Sequence, residues 1–203
     1  MSPAYRLGVY GGTFSPPHNG HVAAARAFVR EAGLDKLLIM PAFCPPHKAE
    51  VLGATTEDRF AMAKLAFADV EKAEVSDLEI RRGGVSYTSD TLTALSAENV
   101  NLYLLCGTDM FLTLDAWHDP ETIFRLATAC YVRRQADASS EAQLAACAAK
   151  YREKFSARTL YIPGEVVEIS SSELRAHLND EAFLRTYLPA PVYRYIIEKG
   201  LYQ

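Results

Sequence analysis

Apolar positions in this chain follow two alternating patterns. Short, nearly continuous runs give way to longer stretches whose apolar residues recur three and four apart. The runs YRLGVY (5–10), KLLIMP (36–41), AEVSDLEI (73–80), NLYLLCG (101–107) and TACYVRR (128–134) predict strands, and RTLYIP (158–163) and EVVEI (165–169) predict extended segments. NLYLLCG has no polar alternation, the pattern of a strand buried on both faces. Between these runs, HNGHVAAARAFVREAG (18–33) predicts a helix ended by glycine, and TTEDRFAMAKLAFAD (55–69) a threonine-capped helix. Further helices are predicted over 88–99 with a cap, 119–127 with proline in the first turn, 139–155, 170–178 behind a serine cap, and 190–200 ending at glycine.

Strands alternating with helices predict right-handed βαβ units: an α/β fold, Rossmann-like, with a doubly wound, mainly parallel sheet flanked by helices. No repeat, low-complexity tract or long linker divides the chain, so residues 1–203 read as a single domain. Sheets of this kind bind ligands beyond the carboxyl ends of their strands. The segment GGTFSPPHNGH (11–21) falls at one such end.

Composition narrows the class. Of the 203 residues, 49% are hydrophobic and 23% charged, enough apolar content for a substantial core. A net charge of −4 gives none of the basic excess expected of a nucleic-acid binder, so no nucleic-acid partner is expected. No apolar run nears the roughly 18 residues needed to span a bilayer, and MSPAYRLGVYGG has no basic segment followed by an apolar export core. The expectation is a cytoplasmic protein without a membrane partner. Its four cysteines (44, 106, 130, 147) are then free thiols, mostly buried, rather than disulfides. The oligomeric state is not readable, and a homo-oligomer stays open.

Chemistry concentrates at GVYGGTFSPPHNGH. Gly11 and Gly12 permit close backbone approach to a ligand, and the following helix start offers free N–H groups and partial positive charge to an anion. His18 and His21, three apart, share one face of the first turn and can donate to phosphoryl oxygens. The loop lacks the Gly-Lys-Ser/Thr ending of a Walker A motif and the full G-x-G-x-x-G spacing. Two other readings stay open: one histidine caps the helix while the other packs in the core, or the pair joins Cys44 and His47 around zinc. A second anion site is readable at EISSSELR. There Ser170, Ser171 and Ser172 supply hydroxyls and helix-start amides, with Arg175 one turn in; an ordinary cap and a surface arginine would look the same.

Taken together, these segments resemble a known family. GGTFSPPHNGH is similar to the G-G-x-F-x-P-x-H-x-G-H signature of the nucleotidyltransferase superfamily, and ISSSELR to its I-S-S-T-x-x-R signature. PPHK, YTSDTL, GTDMF followed by Trp117, and YLPAPVYRYIIEKGLY narrow the likeness to the bacterial nicotinate-nucleotide adenylyltransferases over nearly the whole chain. The resemblance implies transfer of AMP from ATP to nicotinate mononucleotide, with Mg²⁺ accompanying ATP and no protein metal site. Nicotinamide mononucleotide, phosphopantetheine or a flavin nucleotide are alternative acceptors. A non-catalytic nucleotide sensor is the alternative outside the class.

Carried over residue by residue, the resemblance makes His18, His21 and Arg175 the catalytic set. It assigns Gly11, Gly12, Thr13, Phe14, Gly107, Asp109, Ser170, Ser171 and Ser172 to ATP. His47, Lys48, Tyr87, Thr88, Trp117 and Arg134 would bind the acceptor, and Arg59 stands where the family tends to have an arginine. Three positions depart from the pattern. Ser15 replaces the usual aspartate, Ser172 the usual threonine, and RRQAD lacks the Pro-Gly that commonly follows the arginine.

Overall fold

Six parallel strands carry the chain from one side of a sheet to the other: β1 (Tyr5–Gly12), β2 (Lys36–Pro41), β3 (Ala73–Val75), β4 (Val100–Gly107), β5 (Ala127–Val132) and β6 (Thr159–Tyr161). The computed structural model describes residues 4–46, 53–132, 138–164 and 167–202. Among these the strand order is β3-β2-β1-β4-β5-β6 and every pairing is parallel, so the sheet is wholly rather than mainly parallel. The chain first winds outward from β1 to β3, then crosses back to β4 and winds the other way. The order reverses between β1 and β4, where such sheets open a crevice for a ligand.

The apolar runs pack on both faces. Along β2, Leu37 and Ile39 enter one core cluster, while Leu38 and Met40 enter the other. Along β4, Leu102, Leu104 and Cys106 join the second cluster and Leu105 the first. This two-sided burial explains the missing polar alternation. The first face is covered by α1 (Asn19–Glu31), α2 (Thr56–Phe67), α9 (Glu181–Tyr187) and α10 (Ala190–Lys199). The second is covered by α4 (Thr88–Leu95), α5 (Thr108–Leu112), α6 (Pro120–Leu126) and α7 (Ala138–Phe155). α8 (Ser171–Ala176) returns to the open end of β1.

The caps expected at Thr55 and Ser170 form, and Asp119 caps α6 without having been expected to. The cap expected for the 88–99 helix does not form, since Tyr87 at the N-cap of α4 makes no side-chain cap bond. Thr55 accepts from the N–H of Asp58, Asp119 from that of Thr122, and Ser170 from that of Glu173. One predicted strand needs correction. AEVSDLEI is a strand only over Ala73–Val75; after Ser76 and Asp77 the chain turns into α3 (Leu78–Arg82), where Arg81 pairs with Asp77 one turn back. α5 and α9 went unread, being five and seven residues long, too short to display a helical period. All four cysteines are free, but Cys44 is exposed rather than buried. No helix among the described residues is long and apolar enough to cross a membrane.

Candidate active site

The crevice at the switch point holds a cavity of about 370 Å³ between the ends of β1 and β4. Gly11, Gly12, Thr13 and Phe14 form one wall, and His18 and His21 lie above them. Gly107 at the end of β4 and Ser170, Ser171 and Ser172 at the start of α8 complete that half. Thr88 and Trp117 line the other half, where they also border a smaller recess shared with Tyr87 and His118. The two signatures, over 150 residues apart in the chain, thus wall one cavity.

The two histidines are bound to each other's backbone. His18 occupies the N-cap of α1; its Nδ1 accepts from the His21 N–H at 3.4 Å, and the His21 Nδ1 accepts from the His18 N–H at 3.2 Å. This is a capping box made of two imidazoles. With Nδ1 accepting, each neutral ring carries its proton on Nε2 and is a donor there. The rings lie 3.6 Å apart between centroids, and the edge of Phe14 meets His21 at 5.2 Å. α1 has no acidic residue in its first turn, so no acidic side chain of that turn offsets its positive N-terminal end. Gly20 allows a neighbouring segment to come close: a Cβ there would sit 3.1 Å from both the His18 Nδ1 and the Val167 carbonyl oxygen.

The loop between β1 and α1 is held from four directions. Arg175 donates to the Ser15 carbonyl at 2.6 Å and to the Ser172 hydroxyl at 3.1 Å. Ser171 donates to the Pro16 carbonyl at 2.9 Å. The Ser15 hydroxyl meets the Tyr202 hydroxyl at 3.1 Å. Arg59, only 1% exposed, donates to the carbonyls of Thr13 at 3.0 Å, Ala42 at 2.6 Å and Phe43 at 3.2 Å. Arg59 therefore ties the loops after β1 and β2 together. Burial pulls its basicity below the ordinary arginine value and pushes the Tyr202 phenol up to about 12.

The remaining assignments divide. Asp109 lies in the first turn of α5 behind the cap residue Gly107, exposed and outside the cavity lining. Tyr87 caps α4 without a side-chain bond, and its own N–H is taken by the Val85 carbonyl at 3.0 Å. The N–H of Thr88, first residue of α4, has no intrahelical acceptor. His47, Lys48 and Arg134 lie outside the described residues, as does the His47 half of the zinc alternative. Among the lining residues that sequence reasoning did not single out are Glu79 and Ser86. Glu79 is 6% exposed and accepts from Thr91 at 2.6 Å; the signal for it was absent because 73–80 read as a strand.

Comparison with known proteins converges on one family. The cytidylyltransferase-like family model matches residues 9–177. The chain is 38% identical over 201 residues to a protein of Synechococcus sp. (strain JA-3-3Ab) named "Probable nicotinate-nucleotide adenylyltransferase", covering 97% of this chain and 94% of that one. A protein of the same name from Neisseria meningitidis serogroup C is 35% identical over 202 residues, covering 98% of each. In structure, Plasmodium falciparum nicotinic acid mononucleotide adenylyltransferase complexed with NaAD superposes with a TM-score of 0.76 at 20% identity. The match covers 98% of this chain and 97% of that one, a likeness of fold.

Proposed function

Since the chain belongs to the cytidylyltransferase-like family and, within it, to the nicotinate-nucleotide adenylyltransferases, we infer that it transfers AMP from ATP to nicotinate mononucleotide. The products are nicotinate adenine dinucleotide and pyrophosphate, a step of NAD biosynthesis. We place the activity in one domain, 1–203, and in the cytoplasm. The observation that carries the reading is the joining of the two signatures: the histidine pair at the start of α1 and the serines at the start of α8 line one cavity.

In this reading a phosphate oxygen of the acceptor attacks the α-phosphorus of ATP in line. The bond to the β-phosphate breaks and pyrophosphate carries the electron pair away. No side chain need become covalently attached, so the protein's task is positioning and charge stabilisation. The Nε2 donors of His18 and His21, backed by the α1 terminus, meet the negative charge that builds on the phosphoryl oxygens. Ser170, Ser171, Ser172 and Arg175 take the β- and γ-phosphates. Because Arg175 binds the Ser15 carbonyl, its turn toward a phosphate would exchange a neutral acceptor for a charged one. Gly11, Gly12, Thr13, Phe14 and Gly107 hold the nucleoside, and Asp109, outside the cavity lining, is assigned to it on the sequence resemblance alone.

On the acceptor side, the N–H of Thr88 is offered to the nicotinate carboxylate and the Trp117 ring stacks on the pyridine, with Tyr87 beside them. His47, Lys48 and Arg134 are assigned the acceptor phosphate on the sequence resemblance alone. Among the described residues no group of three or more His, Cys, Asp or Glu gathers as a metal cage. The donors present suit phosphate oxygens, so Mg²⁺ fits as a partner of ATP's own phosphates and water, where it neutralises phosphate charge.

Comparing pyrophosphate release with nicotinate and nicotinamide mononucleotide tests the acceptor. A charge-assisted bond to the carboxylate predicts a kcat/KM preference for the acid of about 10- to 100-fold. Preference for the amide would overturn the assignment.

A further inference from the structure

Among the described residues, Glu79 is the one buried acidic side chain, and it lines the cavity on the side of Thr88 and Trp117. Burying a carboxyl group is costly unless its oxygens are satisfied. Here they are met by hydroxyls from two directions. Thr91 on α4 donates to Oε1 at 2.6 Å, and that same hydroxyl accepts from Arg82 at 3.1 Å. The Ser86 hydroxyl lies beside Glu79 and favours its charged form, while its oxygen accepts from the Phe43 N–H at 2.9 Å. Burial pushes the carboxyl above its ordinary value; the two hydroxyls and Arg82 pull it back. The group thus links α3, α4 and the loop after β2 at one point.

The segment is also held through its backbone, where Val85 bridges to Cys44 and the Ser86 N–H donates to the Cys44 carbonyl at 2.8 Å. Tyr87 stacked on His118 at 4.1 Å holds it too, but the turn before it carries no side chains of its own. Gly83 and Gly84 both adopt left-handed conformations, with φ of 67° and 70°, and a Cβ at either would meet nothing within 4 Å. After this side-chain-free turn and Val85 come Ser86, Tyr87 and Thr88, which must reach the cavity in register.

We propose that Glu79 is the positioning residue of the acceptor half of the site. By drawing Ser86 and Thr91 onto one carboxyl group, it fixes the turn after the two glycines and sets the Thr88 N–H opposite Trp117. The inference rests on the adenylyltransferase reading and deepens it, because the geometry it fixes is that of the acceptor and not of ATP. Its partner Thr91, with Ser86 and Arg82 beside it, lies on 82–91, whereas the residues assigned to ATP sit on β1 and the loop after it, the start of α1, β4, α5 and the start of α8. Glu79 itself need touch neither substrate.

The test varies each substrate in turn for wild type, Glu79→Gln and Thr91→Val, with calorimetric binding of each substrate alone and thermal unfolding alongside. Loss of one hydrogen bond in the link predicts a rise of about three- to tenfold in KM and Kd for nicotinate mononucleotide, with those for ATP within about twofold. The double variant should be less than additive, because both changes cut one link. Equal changes for both substrates, or none for either, would overturn the proposal. If Glu79→Gln does not fold, Thr91→Val decides by the same split. A wild type that neither binds nor turns over nicotinate mononucleotide overturns the acceptor assignment and this inference with it. A wild type that does, beside unchanged variants, overturns only the inference.

Discussion

A histidine is a poor choice for a helix N-cap, a place where Asn, Asp and Ser serve better. Yet His18 holds that position in α1, in the extended conformation with φ −139° and ψ 172°, and its ring accepts the bond a serine would accept. What a serine cannot supply is the second ring nitrogen, a donor directed from the same cap. In the proposed reading, capping and phosphate binding are therefore two uses of one side chain rather than rival explanations of it. They can be separated. His18→Asn keeps a capping acceptor, so urea unfolding should stay within about 0.5 kcal/mol of wild type, whereas His18→Ala should lose about 1 kcal/mol. Both should release pyrophosphate about 10²- to 10³-fold more slowly. An active His18→Asn would mean that capping is the residue's whole task. The spacing of the pair was legible in the sequence, but the reciprocal bond was not, since it depends on the backbone angles at His18. Ser15 was opaque for another reason: its partners, Arg175 and Tyr202, stand 160 and 187 residues away.

At the scale of elements, legibility followed length and locality. β2, β4, α1, α2, α7 and α10 were readable because each carries a long apolar pattern or a cap made by a neighbour in sequence. The exchange of strand for helix at 76–80 came from a run where alternate apolar residues fit either period. The Ser76 hydroxyl, accepting from the Leu78 N–H at 3.3 Å, and the Arg81–Asp77 pair decide it locally for α3. α1 also shows an element giving up stability for its site. Gly20 lies in its first turn, where alanine would favour the helix by up to about 1 kcal/mol. The added Cβ, 3.1 Å from the His18 ring and the Val167 carbonyl oxygen, would force a shift of a few tenths of an ångström in one of them. Gly20→Ala should therefore leave unfolding within about 1 kcal/mol of wild type while slowing turnover about tenfold, through a displaced His18. Normal turnover would show that the ring has room to move.

For the whole molecule, the sheet order places the site, and the long-range bonds close it. Alternating strands and helices announced a doubly wound sheet, but the reversal between β1 and β4 is a fact of tertiary pairing that no local window contains. Closure depends on the C-terminal segment. The Tyr202 N–H donates to the Gly53 carbonyl at 3.0 Å, and its hydroxyl reaches Ser15 in the loop between β1 and α1. A half-buried phenol and a buried thiol are among the weak acids that couple the fold to alkaline pH. Burial pushes the Tyr202 phenol from 10.0 up to about 12, and the Cys106 thiol of β4 from 9.0 up to about 12. In the unfolded chain both would lose their protons near their ordinary values, while the folded chain keeps them. Between about pH 9 and 12 the unfolded state binds fewer protons, so the stability of the fold declines as pH rises. The contribution is complete below about pH 9 and lost on passing about 12. Urea midpoints measured from about pH 8 to 11 should fall, and Tyr202→Phe, which keeps the ring but cannot ionise, should fall less steeply. Parallel declines would mean that the phenol ionises as readily in the folded protein as in the unfolded chain, and that the C-terminal segment does not close over the loop between β1 and α1.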